Sequence, residues 1–555
     1  MFTAAGGKFK TSPTLSADGS QVFAAVEERR LYALDAASGA QQWSYATLGN
    51  IKGSPTVDVD GHVIVASEGR DIVELKNTGT IVDLLPVGDR VSQQTVTTSN
   101  GDVYALVGDK HLVRVEPLTA AWNGRPDVLP SPNANEWDVV TKVSVDTGAD
   151  MVHATLLNGT TPINGAGVTV AVIDSGIYFD KQTKSVMGGA IANLFQGQVD
   201  FVGTGKCAGG GQQKNGYCKY DDTESRDPYG HGSHVAGLIW NNFRDHETGT
   251  SLGVAPGAKI LSVRVLDGSG AGSYTDVIEG IQYVVANKAA FGGLRVINLS
   301  LSGFATTPYF ADPLDRAVEQ AWAAGLVVLA AAGNTGPLAE TISVPGNDPY
   351  VITVGAVNSN RTSGYWADDV VPAWSGTGPT LDGFAKPDVL APGSNLVSFM
   401  YNNPRDGVDG ANTANLAKIH PDYSANSTMF RMSGTSMATG VMSGIVALML
   451  QANPGLTPDQ VKYRLMDTAR PAVTGNGDAA YNTLRQGLGR VWAPDAVLSP
   501  VDPAGLANLD MNLAADLAHA YDTEADLAFH YQGPVRKVPS DQGDGYLYYV
   551  EDANG

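Results

Sequence analysis

Cysteine is the scarcest residue of the chain, with two among 555. Two thiols are too few for a zinc site. Both, Cys207 and Cys218, fall in one glycine-rich loop, GKCAGGGQQKNGYCKY. A disulfide across that loop is the expectation and implies an oxidising compartment; two free thiols are the alternative. Positive charge is also short: 36 Lys and Arg stand against 57 Asp and Glu, a net charge of −21. That balance argues against nucleic acid and anionic membranes as main partners. No run approaches the ~18 apolar residues of a membrane span. The longest, Val441 to Leu450, is too short. The opening MFTAAGGKFK has no apolar core of the kind a secretion leader carries. The expected location is extracellular or periplasmic, with the leader missing from this sequence.

What is present is a globular composition, 43% hydrophobic and 17% charged, with 65 glycines for tight turns. The length suits two to four domains. Residues 1–122 hold a repeat of about 40 residues. Ser12-Pro13-Thr14-Leu15 leads through Asp18-Gly19 to Val22–Val26, then Leu31–Asp35, Ser38-Gly39 and Trp43. Ser54-Pro55-Thr56-Val57, Asp60-Gly61, Val63–Ala66, Ile72–Leu75 and Thr78-Gly79 repeat that order, and a weaker copy follows from Asn100-Gly101. Alternating strands joined by Asp-Gly or Asn-Gly turns read as four-stranded propeller blades. Three blades are fewer than a closed ring needs, so a truncated propeller or an open stack is expected. Residues 123–137, rich in Pro and Asn, read as a linker.

From about 138 the pattern becomes α/β. Val168–Ile173 is a continuous β-branched run, expected of a parallel strand buried on both faces, and it ends at Asp174-Ser175-Gly176. Further strands are expected at 260–265, 296–300, 326–331 and 351–354, with helices around 274–290 and 312–324 between them. Gly230-His231-Gly232-Ser233-His234 opens a helix. His231 at its mouth is a candidate for catalysis, whereas His234 reads as a core histidine and no third ligand makes the pair a metal site. Ser433-Gly434-Thr435-Ser436 turns into the buried helix 441–450, which places Ser436 where free N–H groups and the helix dipole favour negative charge. Capping is the plain alternative for such a serine.

Asp174, His231 and Ser436 stand in the order Asp, His, Ser, within the boxes VAVIDSG, GHGSHVAG and GTSMATG. With VINLSLSG, AAAGN, TVGAV and WSGTGPTLDGFAKPDVLAPG between them, the stretch 145–495 closely resembles the subtilase family of serine proteases. The amino-terminal copies resemble the blade repeat of quinoprotein-type β-propellers; no cofactor-binding cluster accompanies them. The resemblance implies a subtilisin-like parallel sheet flanked by helices at 138–499, after the all-β segment, with 500–555 an extension of unknown role. It implies serine endopeptidase activity through Asp174, His231 and Ser436, with Asn334 as oxyanion donor. Substrate would lie between Gly270-Ala271-Gly272 and Ser300-Leu301-Ser302-Gly303, with Ala330-Ala331-Ala332-Gly333 walling a pocket for apolar or aromatic side chains. The expected partners are protein or peptide substrates, and a protein partner for the repeats.

Two departures bear on these expectations. Gly440 replaces the family's proline, which makes the helix less rigid. The family's acidic calcium ligand after the Asp box is missing at Ile177–Lys181, so no metal is assigned, although Asp221, Asp222 and Asp227 offer another calcium set. No cofactor is expected for catalysis. The competing reading is a catalytically silent scaffold that binds protein through the repeats.

Overall fold

The computed structural model describes most of the chain. Residues 1–8, 123–142, 180–190, 203–211, 221–225, 245–249, 361–365, 402–413, 520–529, 540–545 and 551–555, with shorter stretches elsewhere, lie outside the described residues. The linker expected at 123–137 is among them. Two compact units result, one of residues 1–121 with 372–374 and 473–480, the other of 122–371, 375–472 and 481–555.

In the first unit each strong repeat copy is a four-stranded antiparallel meander. The first comprises Thr14–Leu15, Gln21–Val26, Arg30–Asp35 and Gln41–Ala46; the second Thr56–Val57, Val63–Ser67, Asp71–Leu75 and Ile81–Pro86. The third copy pairs Val96–Thr97, Val103–Val107 and His111–Val115. Alternate residues point inward, so Phe23, Ala25, Leu31 and Ala33 of one meander share a core with Val63, Val65, Val73 and Leu75 of the next. Trp43 joins the two meanders: its Nε1 donates to the Asn77 carbonyl at 2.7 Å. Its ring lies so close to Gly79 (φ +85°) that a Cβ there would stand 2.8 Å from the indole. Only glycine serves both the turn and that seat.

The second unit is built on one nine-stranded sheet. Its strands are β1 (Thr169–Asp174), β2 (Phe195–Asp200), β3 (Gln212–Lys214), β4 (Tyr217–Tyr220), β5 (Lys259–Arg264), β6 (Leu294–Leu299), β7 (Val327–Ala331), β8 (Ile352–Val357) and β9 (Val389–Pro392). They lie in the order β3-β4-β2-β5-β1-β6-β7-β8-β9. From β2 to β9 every neighbour is parallel, and β4 and β3 add an antiparallel edge. The continuous apolar runs are explained by burial: every residue of β1, β7, β8 and β9 is buried.

Helices α1 (His231–Trp240), α2 (Tyr274–Ala286), α3 (Pro313–Ala323), α4 (Thr435–Ala452) and α5 (Pro458–Asp467) belong to the same unit. Their starts follow local chemistry. Asp312 caps α3 ahead of Pro313, and Thr457 with Gln460 closes a capping box on α5. Helix α4 is long and apolar enough by length and composition to cross a bilayer, yet 89% of it is buried inside the protein. It is the core helix of this unit.

The segment after residue 500 packs into the second unit as well. A short helix, α6 (Leu513–Ala518), carries Asp516, which is 1% exposed. Asp516 accepts hydrogen bonds from the Tyr309 hydroxyl at 2.9 Å and the Tyr350 hydroxyl at 3.0 Å, and pairs with His530. The His530 ring stacks on Phe310 at 4.3 Å. Arg316 of α3 donates to the Asp516 and Leu517 carbonyls, both at 2.8 Å. Strands Val535–Pro539 and Tyr546–Val550 close the segment as an antiparallel pair.

Candidate active site

Three candidate residues occupy the ends of regular elements, where sheet and helix architecture fixes them. Asp174 is the last residue of β1 and fully buried. His231 is the first of α1, and Ser436 is the second of α4. The His231 ring presents Nδ1 to both Asp174 oxygens, at 2.8 and 2.9 Å. Such closeness needs Gly232: a Cβ there would stand 2.1 Å from the Gly176 carbonyl oxygen and 3.2 Å from the Asp174 Cβ. Burial alone pushes the His231 imidazole down. The charge and hydrogen bond of Asp174, with the charge of Asp227 added, outweigh it and set its pKa above the ordinary value.

His234, one turn on, has a different role. It is fully buried, and its Nε2 faces the carbonyls of Leu396 at 3.1 Å and Phe430 at 3.0 Å. Burial, helped by the neighbouring His231, drives its pKa down to about 3, so the ring is a neutral donor that ties α1 to its surroundings. The core reading of this residue agrees with that environment.

Ser436 donates its hydroxyl to the Ser300 carbonyl at 3.0 Å, and the Ser300 hydroxyl donates back to the Ser436 carbonyl at 2.7 Å. Among the described hydrogen bonds none joins Ser436 to the His231 ring. The two helices nevertheless meet one turn beyond these residues. A Cβ at Gly440 would stand 3.1 Å from Val235 Cγ1. Gly440 therefore serves close packing of α4 on α1, and the helix continues through it to Ala452.

The Ser436 N–H lies in the first turn of α4 and has no acceptor among the described backbone bonds. Asn334 sits beside it. Its Oδ1 accepts from the Thr435 N–H at 2.9 Å and the Thr435 hydroxyl at 3.1 Å. The Thr435 hydroxyl also accepts from the Gly333 N–H at 3.2 Å. With its oxygen held, the Asn334 amide turns Nδ2 the other way, where that nitrogen makes no described hydrogen bond. Thr435 was missed by sequence reasoning. Its signal lay inside the GTSMATG run, which was read for its serine alone.

The expected substrate-binding segments are distributed as follows. Ala271, Gly272 and Ser302 are exposed, Gly270, Leu301 and Gly303 half-buried, and Ser300 and Ala330–Gly333 buried. Gly303 exchanges a pair of backbone hydrogen bonds with Val344, at 2.9 and 3.0 Å. Cys207 lies outside the described residues, so the expected disulfide with Cys218 does too. Asp221 and Asp222 are likewise outside. Asp227, the third member of the alternative calcium set, is committed to hydrogen bonds with Ser175, Gly230 and Ser233. Among the described residues no group of three or more His, Cys, Asp or Glu is arranged to hold a metal ion.

The model of the subtilase family matches residues 165–489, and a model described as outer membrane protein assembly factor BamB matches 4–127. Serine protease AprX of Bacillus subtilis is 38% identical over 58% of this chain and 66% of its own length. Subtilisin DY of Bacillus licheniformis is 33% identical over 57% of this chain and 87% of its own. The solved structure of sphericase, 25% identical, aligns with 62% of this chain and 96% of its own, with a TM-score of 0.45. With more than half its residues matched, from ahead of Asp174 to beyond Ser436, the chain belongs to the subtilase family.

Proposed function

We propose that this chain is a serine endopeptidase in which Asp174, His231 and Ser436 form the catalytic triad and Asn334 assists the oxyanion hole. The observation that carries the reading is the hydrogen bond of His231 Nδ1 to the fully buried Asp174 carboxylate, at 2.8 and 2.9 Å. A serine hydroxyl is a weak nucleophile and needs a base. On substrate binding, Ser436 exchanges its bond to the Ser300 carbonyl for one to His231 Nε2. Its oxygen attacks the scissile carbonyl while His231 takes the proton, and the same proton then passes to the leaving amine. Water repeats the cycle on the acyl-enzyme, releasing the acid and restoring the serine. Asp174 stays ionised, holding the tautomer with Nδ1–H toward itself and stabilising the imidazolium. The developing oxyanion accepts from the Ser436 N–H and from Asn334 Nδ2, which Thr435 aims.

Substrate lies as an added strand between 270–272 and 300–303, with apolar or aromatic side chains favoured in a pocket walled by 330–333. The enzyme works outside the cytoplasm, extracellularly or in the periplasm; the match of the repeats to an outer membrane assembly factor supports that placement. The repeats recruit a protein partner or substrate. Hydrolysis of a peptide with an apolar residue before the scissile bond, followed by mass spectrometry, tests the reading. Cleavage by the wild type and none by Ser436→Ala or His231→Ala supports it. Equal product from all three, or none from any, leaves a silent binding scaffold.

A further inference from the structure

Asp227 is 3% exposed, and four donors converge on it. Oδ1 accepts from the Ser175 hydroxyl and the Gly230 N–H, both at 2.8 Å. Oδ2 accepts from the Ser233 N–H at 2.8 Å and the Ser233 hydroxyl at 2.7 Å. Four donors fill the acceptor sites of one carboxylate. The bonded hydroxyls reach further. Ser175 Oγ accepts from the Gly232 N–H at 2.9 Å, and Ser233 Oγ accepts from the Tyr178 N–H at 2.8 Å. Ser175 follows Asp174, while Gly230 and Gly232 flank His231.

We propose that Asp227 is a positioning residue for the proton transfer: its buried carboxylate locks the turn that follows Asp174 to the helix head that carries His231. This rests on the proposed triad. Asp174 and His231 are 57 positions apart, and besides their own hydrogen bond the two segments are tied through the hydroxyls of Ser175 and Ser233, both of which donate to Asp227. Asp227 fixes the frame on either side of that bond. Asparagine in its place would set an amide NH2 against donors that now meet oxygen. It would also remove a negative charge that favours the imidazolium.

Among the described residues, the charged and titratable groups around His231 are Asp174, Asp227 and His234, with the Tyr229 ring stacked 6.4 Å away. Arg264, near the Gly176 turn, is engaged by Asp200 at 2.7 Å. Removing the charge of Asp227 therefore lowers the His231 pKa, and the acidic limb of kcat/KM against pH moves to lower pH.

The test uses the full chain, with active sites counted by a fluorophosphonate and peptide hydrolysis followed across pH, for wild type, Asp227→Asn and Ser175→Ala. Asp227→Asn is expected to lower kcat per titrated site on the order of 100-fold, the cost of misplacing a reacting group by about 1 Å, with KM little changed. Its acidic limb shifts down. Ser175→Ala, which keeps the charge, loses less kcat and leaves the limb in place. Fewer titratable sites with wild-type turnover per site would mean a folding role alone and overturn the proposal. So would an unmoved limb in Asp227→Asn. Should that variant not fold, wild-type kcat in Ser175→Ala overturns it equally. A wild-type protein without Ser436-dependent turnover defeats the triad itself, and that result is read before any variant.

Discussion

Ser300 and Ser436 hold each other by two reciprocal hydrogen bonds, hydroxyl to carbonyl in both directions, at 2.7 and 3.0 Å. The pairing joins the end of β6 to the first turn of α4 and parks the proposed nucleophile on a backbone oxygen. Ser300→Ala removes one of the two bonds and takes from the buried Asn298 Nδ2 the hydroxyl it donates to at 2.9 Å. A stability loss of about 1–3 kcal/mol is expected, read by urea unfolding of the inhibitor-blocked enzyme. Because the bond from Ser436 runs to the main chain of residue 300, the variant keeps it, and labelling of Ser436 should persist. Loss of labelling in a fully folded Ser300→Ala protein would contradict this division of roles.

Asn334 offers a sharper kinetic prediction. Its oxygen is held by Thr435, and its nitrogen is the proposed oxyanion donor. Asn334→Ala should lower kcat roughly 100- to 1000-fold with KM little changed, the range known for removing such a donor in subtilisin itself. Thr435→Val should lose less, because it removes the hydroxyl bond to the amide oxygen and keeps the one from the Thr435 N–H. Steady-state kinetics on a peptide ester and the matching amide check both. A rise in KM at constant kcat would assign Asn334 to ground-state binding instead.

Much of the site could be read from spacing because strand ends and helix starts carry local signals. The β-branched run before Asp174, the glycines around His231 and the small residues before Ser436 each announce their element. Asp227 could not be read the same way. Its partners Ser175 and Ser233 lie 52 and 6 positions away, and a buried carboxylate leaves no periodic mark. Read locally, it suggested a calcium ligand. Residues after 500 were harder still, since Asp516 anchors them through Tyr309 and Tyr350, 207 and 166 positions distant. The blades were legible because Asp-Gly and Asn-Gly turns and alternation are short-range patterns. The clasp of Trp43 on Gly79 was not, for it joins one repeat to the next.

That late segment yields a stability prediction. Asp516→Ala strands a buried His530 and two buried tyrosine hydroxyls, so unfolding free energy should fall by about 3–5 kcal/mol. Hydrogen exchange should rise first in 513–518 and 530–539, ahead of β1 and β6. Uniform exchange across the unit would show that this segment is not docked through Asp516.

A second buried cluster makes stability depend on pH. Asp315 and Glu319 of α3 face Asp348, and all three are fully buried. Burial, reinforced by the neighbouring carboxylates, raises Glu319 to about 10. Burial, opposed by Lys386, raises Asp348 to about 7. The folded protein thus keeps protons that the unfolded chain releases above about pH 4–5. Stability from these groups is greatest at the acidic end of that window and declines as pH rises through 7 and on toward 10. Glu319→Gln should flatten the alkaline part of the decline, measured by urea unfolding on a Ser436→Ala background that cannot digest itself. Parallel curves for the two proteins would contradict the assignment.

The most direct measurement of the central claim is the site and pH dependence of covalent labelling by a fluorophosphonate, located by peptide mass spectrometry. The account predicts one adduct, on Ser436, formed as His231 loses its proton and abolished in both His231→Ala and Ser436→Ala. An adduct on another residue, or labelling of Ser436 that is indifferent to His231, would contradict it.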